Sequence, residues 1–180
     1  MCESNKILVS LVIPVFNGSQ TIAKLVSECI KSFEKFSNLE IVLINDFSED
    51  NSDEVCLSLR ERYPNIVTFL SLSRNFGEHN AVMAGLHHTT GEFVVTLDDD
   101  GQNPPQEAVN LIKFALEESL DVVYSSYPKK RHHLFRNLFS WLNGKMANVM
   151  LKKPAGLYLS SFRSMSRFIV QEIIKYDLPY

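Results

Sequence analysis

Asp98, Asp99 and Asp100 stand in a row directly after the apolar stretch Val94-Val95-Thr96-Leu97. In extended backbone successive side chains alternate, so Asp98 and Asp100 are expected on one side. The Gln102 amide oxygen lies two residues further on. Two carboxylates and an amide oxygen are hard donors. Such donors suit Mg²⁺ or Mn²⁺, which keep water ligands and share coordination with substrate phosphates. A cation held there would neutralise a departing diphosphate, acting as Lewis acid and template. The same triplet also fits a solvated turn, since pairs such as Asp100-Gly101 favour turns. Three like charges at one strand end repel one another unless a cation joins them, which favours the metal.

The elements around this triplet tell where it sits. Ile7 to Val15 is an apolar run of the kind a buried parallel strand needs, with Pro14 near its end, where a lost ladder donor costs least. Ile22, Leu25, Val26, Cys29, Ile30 and Phe33 follow helical spacing, with Ser19 as the expected N-cap. Strands are expected at 40–45, 66–72, 93–97 and 121–125. Helices are expected at 50–62, 78–88, after the Pro104-Pro105 pair, along 135–150 and at 169–174. Strands alternating with helices give an α/β fold, a Rossmann-like, mostly parallel sheet flanked by helices. Ligands of such sheets bind beyond the carboxyl ends of the strands. The residues there are Asn17, Asp46, Arg74, Asp98 to Gln102 and Ser126 to Arg131, polar and charged after greasy strands.

The 180 residues suffice for one domain with a sizeable core, and 45% hydrophobic with 22% charged residues is globular composition. A net charge of -3 argues against a uniformly basic nucleic-acid binder. Cys2, Cys29 and Cys56 show no metal-ligand spacing and read as free thiols, which fits a reducing compartment. The first residues lack a basic-then-apolar leader pattern, and no stretch reaches the roughly 18 apolar residues of a membrane span. The expected organisation is a single catalytic domain over 1–180. It is expected to be truncated at its C-terminus, because the last helix is followed only by Asp177-Leu178-Pro179-Tyr180.

Three segments together carry a family resemblance. Val12-Ile13-Pro14-Val15-Phe16-Asn17, the string Leu43 to Ser52 containing Asn45-Asp46-Phe47-Ser48, and Asp98-Asp99-Asp100-Gly101-Gln102-Asn103-Pro104-Pro105 resemble the inverting family-two glycosyltransferases of the GT-A fold. Within that family, Arg74-Asn75-Phe76-Gly77 and the Asp100 to Pro105 string resemble the polyprenyl-phosphate branch, which includes dolichol-phosphate mannosyltransferases and undecaprenyl-phosphate glycosyltransferases. The match covers roughly residues 7 to 163.

The resemblance implies a division of roles. Pro14, Val15 and Asn17 line the nucleoside pocket, Asp46 accepts a hydrogen bond from base or ribose, and Arg74 approaches the nucleotide. Asp98 lies beside ribose or sugar, with Asp99 in the same nucleotide-sugar set. Asp100 and Gln102 ligate the metal, and Arg136 and Ser140 lie near donor and acceptor phosphates. Asp98, Asp100 and Arg136 form the implied catalytic set. Arg136 and Ser140 are also i,i+4 on the long helix and share a face, and a guanidinium fork with a hydroxyl suits phosphate. Lys129, Lys130 and Arg131 just upstream are either a solvated loop, a lid over phosphates, or a contact to anionic headgroups. Three positions depart from the family pattern: Phe47 stands for a glycine, Gly101 for a larger apolar residue, and His79 for a small or hydrophobic one.

The implied reaction is inverting transfer of a sugar from a nucleotide-sugar, UDP favoured over GDP, to a polyprenyl phosphate. A lipid phosphate is already anionic and needs no general base, unlike a hydroxyl acceptor. A same-fold transferase acting on a sugar hydroxyl is the main alternative. A nucleotidyltransferase fits less well, since the loop Phe16-Asn17-Gly18-Ser19 has one glycine, and a non-catalytic nucleotide-binding module remains open. The resemblance also implies work at the cytoplasmic face of the membrane, this chain itself being soluble, and leaves a homo-oligomer open.

Overall fold

The computed structural model describes residues 6–125 and 160–175. Among them the elements run β1 (Leu8–Val15), α1 (Ile22–Phe33), β2 (Asn38–Asn45), α2 (Ser52–Arg62), β3 (Val67–Ser71), α3 (Glu78–Leu86), β4 (Phe93–Thr96), α4 (Pro105–Glu117), β5 (Val122–Tyr124), β6 (Arg163–Ser166) and α5 (Arg167–Ile174). The strands form one sheet in the order β3-β2-β1-β4-β6-β5. The chain divides into two compact units, Met1–Val123 with Ser161–Tyr180, and Tyr124–Ser160.

β1 pairs in parallel with β2 on one side and β4 on the other. From β1 the chain steps outward to β2 and β3, then crosses back to place β4 on the opposite flank. The strand order therefore reverses between β1 and β4, and the crevice at such a switch point is where ligands of open α/β sheets bind. β1 carries the loop with Phe16 and Asn17 to that crevice, and β4 carries the three aspartates.

The apolar strands explain the layering. Along β1, Val9, Leu11, Ile13 and Val15 pack with α1, α2 and α4, while Val12 packs with α3 and α5 on the other face. β2 repeats the alternation, with Ile41 and Leu43 on the first face and Val42 and Ile44 on the second. A strand covered on both faces has no solvated side, so it reads as a continuous apolar run. Pro14 fits without loss. The Val12 carbonyl takes the Leu97 N–H toward β4, and Pro14, two residues on, faces the same flank beyond the last β1–β4 pair, Val12 opposite Thr96.

Two local expectations change. Ser19 does not cap α1. The helix starts after Thr21, which makes no side-chain cap bond, and the Ser19 N–H is instead given to Asp50 Oδ2 at 3.1 Å. β6 has no counterpart in the pattern reading, because Arg163-Ser164-Met165-Ser166 is short and mostly polar. It is nevertheless a strand antiparallel to β4, with Thr96 opposite Arg163, and it makes the sheet mixed. The long helix expected over 135–150 lies outside the described residues.

Candidate functional site

The three aspartates diverge instead of alternating. The strand ends at Thr96, and Asp99 and Asp100 form a turn that Gly101 continues with φ +70°, a left-handed value that favours glycine. The alternation expected of an extended segment therefore does not apply past Leu97. Asp98 Oδ2 accepts from Ser161 Oγ at 3.0 Å and from the Asn103 amide at 3.2 Å. Asp99 turns toward β1, and its Oδ2 accepts the Phe16 N–H at 3.0 Å. Asp100 is exposed and folds back on its own turn, accepting the Gln102 N–H at 2.9 Å.

Burial, together with the charges of Asp100 and Asp98, pushes the Asp99 carboxyl above its ordinary range, against the opposing pull of the Phe16 N–H. Among the described residues no group of three or more His, Cys, Asp or Glu is arranged to hold a metal ion. What the acidic loop does offer is the exposed pair Asp100 and Gln102. Both carry side-chain oxygens, and such a set fits a hard cation completed by water and by a ligand's phosphates, not one enclosed by protein.

At the β1 end, Asn17 adopts φ +55°, which asparagine tolerates. Its N–H goes to Ser48 Oγ at 3.0 Å and its Oδ1 accepts the Glu49 N–H at 2.9 Å. The Gly18 N–H goes to Ser52 Oγ at 2.9 Å. The loops after β1 and β2 are thus laced together, and Ser48, Asp50 and Ser52, which sequence reasoning left without a role, do the lacing. Asp50 also accepts from the Ser52 hydroxyl and N–H. Burial opposes ionisation of Asp50, but these bonds from Ser52 and Ser19 bring its pKa down to about 2.

Asp46 is 3% exposed. Its Oδ1 accepts the Phe76 N–H and its Oδ2 the Gly77 N–H, each at 2.8 Å. The carboxylate expected to read a base or ribose thus pins the loop before α3. Phe47 follows it with φ +59° and 53% exposure. The turn keeps a glycine-like backbone although the residue is phenylalanine. Val15 is fully buried with its side chain in the core, so only its backbone reaches the edge. Pro14 is half-buried.

Arg74 is exposed, with its guanidinium 4.6 Å from the Phe76 ring centre, a cation–π distance. With Leu72, Asn80 and Ala84 these two line a cavity of about 390 Å³. Ser161, unassigned from sequence, joins the site through Asp98, and its carbonyl accepts the Thr96 hydroxyl, so β4 holds it in place. Lys129, Lys130, Arg131, Arg136 and Ser140 lie outside the described residues. Cys29 and Cys56 are buried free thiols pushed up to about 12, chiefly by burial.

Residues 10–174 match the family model described as Glycosyl transferase family 2. The undecaprenyl-phosphate 4-deoxy-4-formamido-L-arabinose transferase of Proteus mirabilis is 36% identical over 167 residues, covering 92% of this chain and 50% of the relative. The chain spans about half the length of the curated relatives it matches. Two solved structures share the fold. The Pyrobaculum calidifontis mannosyltransferase in complex with GDP-Man and Mn²⁺ has a TM-score of 0.65 at 19% identity, over 94% of this chain and 47% of that one. The Mycobacterium tuberculosis glucosyl-3-phosphoglycerate synthase, solved with Mn²⁺, UDP and glucosyl-3-phosphoglycerate, has a TM-score of 0.60 at 22% identity, over 91% and 58%.

Proposed function

Because the chain belongs to glycosyl transferase family 2, we propose that it carries the donor site of an enzyme that moves a sugar, with inversion, from a nucleotide-sugar to a polyprenyl phosphate. The observation that carries this reading is the meeting of the β1 and β4 loops at the switch point, where the Phe16 N–H reaches Asp99 beside the exposed oxygens of Asp100 and Gln102. The acceptor class is supported by the named activity of the relatives, which is transfer to undecaprenyl phosphate.

Asp100 and Gln102 would hold Mg²⁺ or Mn²⁺, as the Mn²⁺ in the two fold neighbours supports. When bound, such a cation supplies neutralisation of the leaving diphosphate. Pro14, Asn17 and the backbone of Val15 form the floor under the nucleoside, and Arg74 is free to meet phosphate oxygens. Asp98, oriented by Ser161 and Asn103, faces ribose or sugar. Lys130, Arg131, Arg136 and Ser140 are assigned to the acceptor phosphate. An anionic acceptor needs orientation and charge compensation, and no residue has to take a proton from it. The work belongs at the cytoplasmic face of a membrane. Among the described residues no helix is long and apolar enough to cross one. UDP is the favoured carrier over GDP, and 1–180 acts as one catalytic unit.

The test pairs binding with transfer. Thermal shifts are measured for UDP and GDP, each with and without Mn²⁺, since a ligand of the native state raises its apparent stability. Transfer to undecaprenyl phosphate is then compared in wild type and Asp100→Ala. A metal-dependent shift for UDP and near-complete loss of transfer are expected. Full transfer by Asp100→Ala in excess Mn²⁺ removes the metal assignment, and transfer to a sugar hydroxyl alone removes the acceptor assignment.

A further inference from the structure

Asp99 is the aspartate of the triplet that faces away from the exposed pair, and the structure gives it a partner in the loop after β1. Its Oδ2 accepts the Phe16 N–H across 83 residues of sequence. The second contact is steric. A Cβ on Gly18 would lie 2.3 Å from Asp99 Oδ2 and 3.1 Å from its Cγ. The Gly18 φ lies outside the left-handed region, so its backbone does not call for glycine. The space does, and Asp99 comes nearest in it, with Val15 Cγ1 next at 3.3 Å. The stretch Phe16 to Ser19 is in turn tied to the β2 loop through Ser48, Asp50 and Ser52. Asp100, the next residue, is exposed and otherwise held only by its own turn.

We propose that Asp99 is a positioning residue, seated over Gly18, that braces the β4 metal loop against the β1 nucleoside loop. This rests on the assignment of Asp100 and Gln102 as metal ligands. Without the brace, the loop that carries them is held by its ends at β4 and α4 and by the Asp98–Ser161 hydrogen bond, none of them part of the β1 loop. With it, the loop is referenced to the same β1–β2 framework that receives the nucleoside, so cation and nucleotide are presented in one register. Gly18 is therefore specified by a side chain of the loop after β4.

The test is a cycle of variants in the full chain, with Mn²⁺ affinity measured by electron paramagnetic resonance in the presence of UDP. Asp99→Ala and Gly18→Ala, which leave the metal ligands Asp100 and Gln102 in place, should each weaken Mn²⁺ by roughly 10- to 100-fold, the scale on which supporting partners of metal ligands act. Gly18→Ala added to Asp99→Ala should cost little more, because the 2.3 Å clash goes with the carboxylate and only the 3.3 Å approach to Val15 Cγ1 is left. Asp99→Asn keeps an oxygen for the Phe16 N–H and should retain most of the affinity. Circular dichroism checks folding, and if Gly18→Ala does not fold, the Asp99→Ala and Asp99→Asn pair still decides. Additive losses, or Asp99→Ala binding Mn²⁺ as wild type while Asp100→Ala does not, would overturn the brace alone. Unchanged Mn²⁺ affinity in Asp100→Ala overturns the metal reading and the brace with it.

Discussion

Asp46 and Gly77 are joined by a 2.8 Å hydrogen bond from the Gly77 N–H to Oδ2, while Oδ1 takes the neighbouring Phe76 N–H at 2.8 Å. One carboxylate thus closes the end of β2 over the start of α3. Asp46→Ala takes the acceptor from the Phe76 N–H and leaves the Gly77 N–H with Asn75 Oδ1 alone, at 3.1 Å. The expected loss is about 1–3 kcal/mol of unfolding free energy, the cost of one donor left without its carboxylate. Urea denaturation measures it. A loss of nucleotide binding with unchanged stability would instead assign Asp46 to the ligand.

Phe47 holds φ +59° with its side chain half in solvent. A non-glycine residue in that region carries strain of about 1–2 kcal/mol, and glycine relieves it at some entropic cost. Phe47→Gly is therefore expected to stabilise the protein slightly, by up to about 1 kcal/mol. A lower melting temperature for this variant would show that the ring makes contacts worth more than the strain.

The pH dependence of stability should carry the mark of Asp50. Its folded pKa is lowered to about 2 by hydrogen bonds from Ser52 and Ser19 that outweigh burial, against roughly 3.9 when unfolded. A depressed carboxyl contributes stability that is present above the unfolded value and lost as pH falls through the folded one. The advantage of wild type over Asp50→Asn should be constant above about pH 5 and shrink between about pH 4 and 2. Parallel denaturation curves over that range test it, and a pH-independent difference excludes the carboxylate as its source.

Cys29 and Cys56, with thiols pushed up to about 12, should stay unmodified by a thiol reagent at neutral pH, because the thiolate is the reactive form. Peptide mapping after brief labelling should find both positions free, and labelled only once denaturant is added.

Much of the first unit was legible because burial on both faces writes itself into strands such as Val9 to Val15 and into the stripe Ile22, Leu25, Val26, Cys29 and Phe33. β6 was not legible: its pairing is set by β4, and a strand reading Arg-Ser-Met-Ser has no apolar pattern of its own. In the site, residue types located Asp46 and the triplet, but their partners are backbone N–H groups and serines far away in sequence. The carboxylate of Asp46 is legible in one dimension, but its hold on the Phe76 and Gly77 N–H groups appears only in three. The same holds for Gly18, whose neighbour in space is residue 99.

The reversal of strand order at β1 also sets a timetable for synthesis. β2 and β3 can join β1 early, whereas the opposite flank, where Val9 meets Phe93, waits for residues made much later. At the usual pace of translation the delay is on the order of ten seconds. Throughout it β1 presents an apolar, unpaired margin to the cell, the kind of margin that recruits stray strands. The crevice thus stays open on the ribosome until β4 emerges, and β6 completes that flank later still.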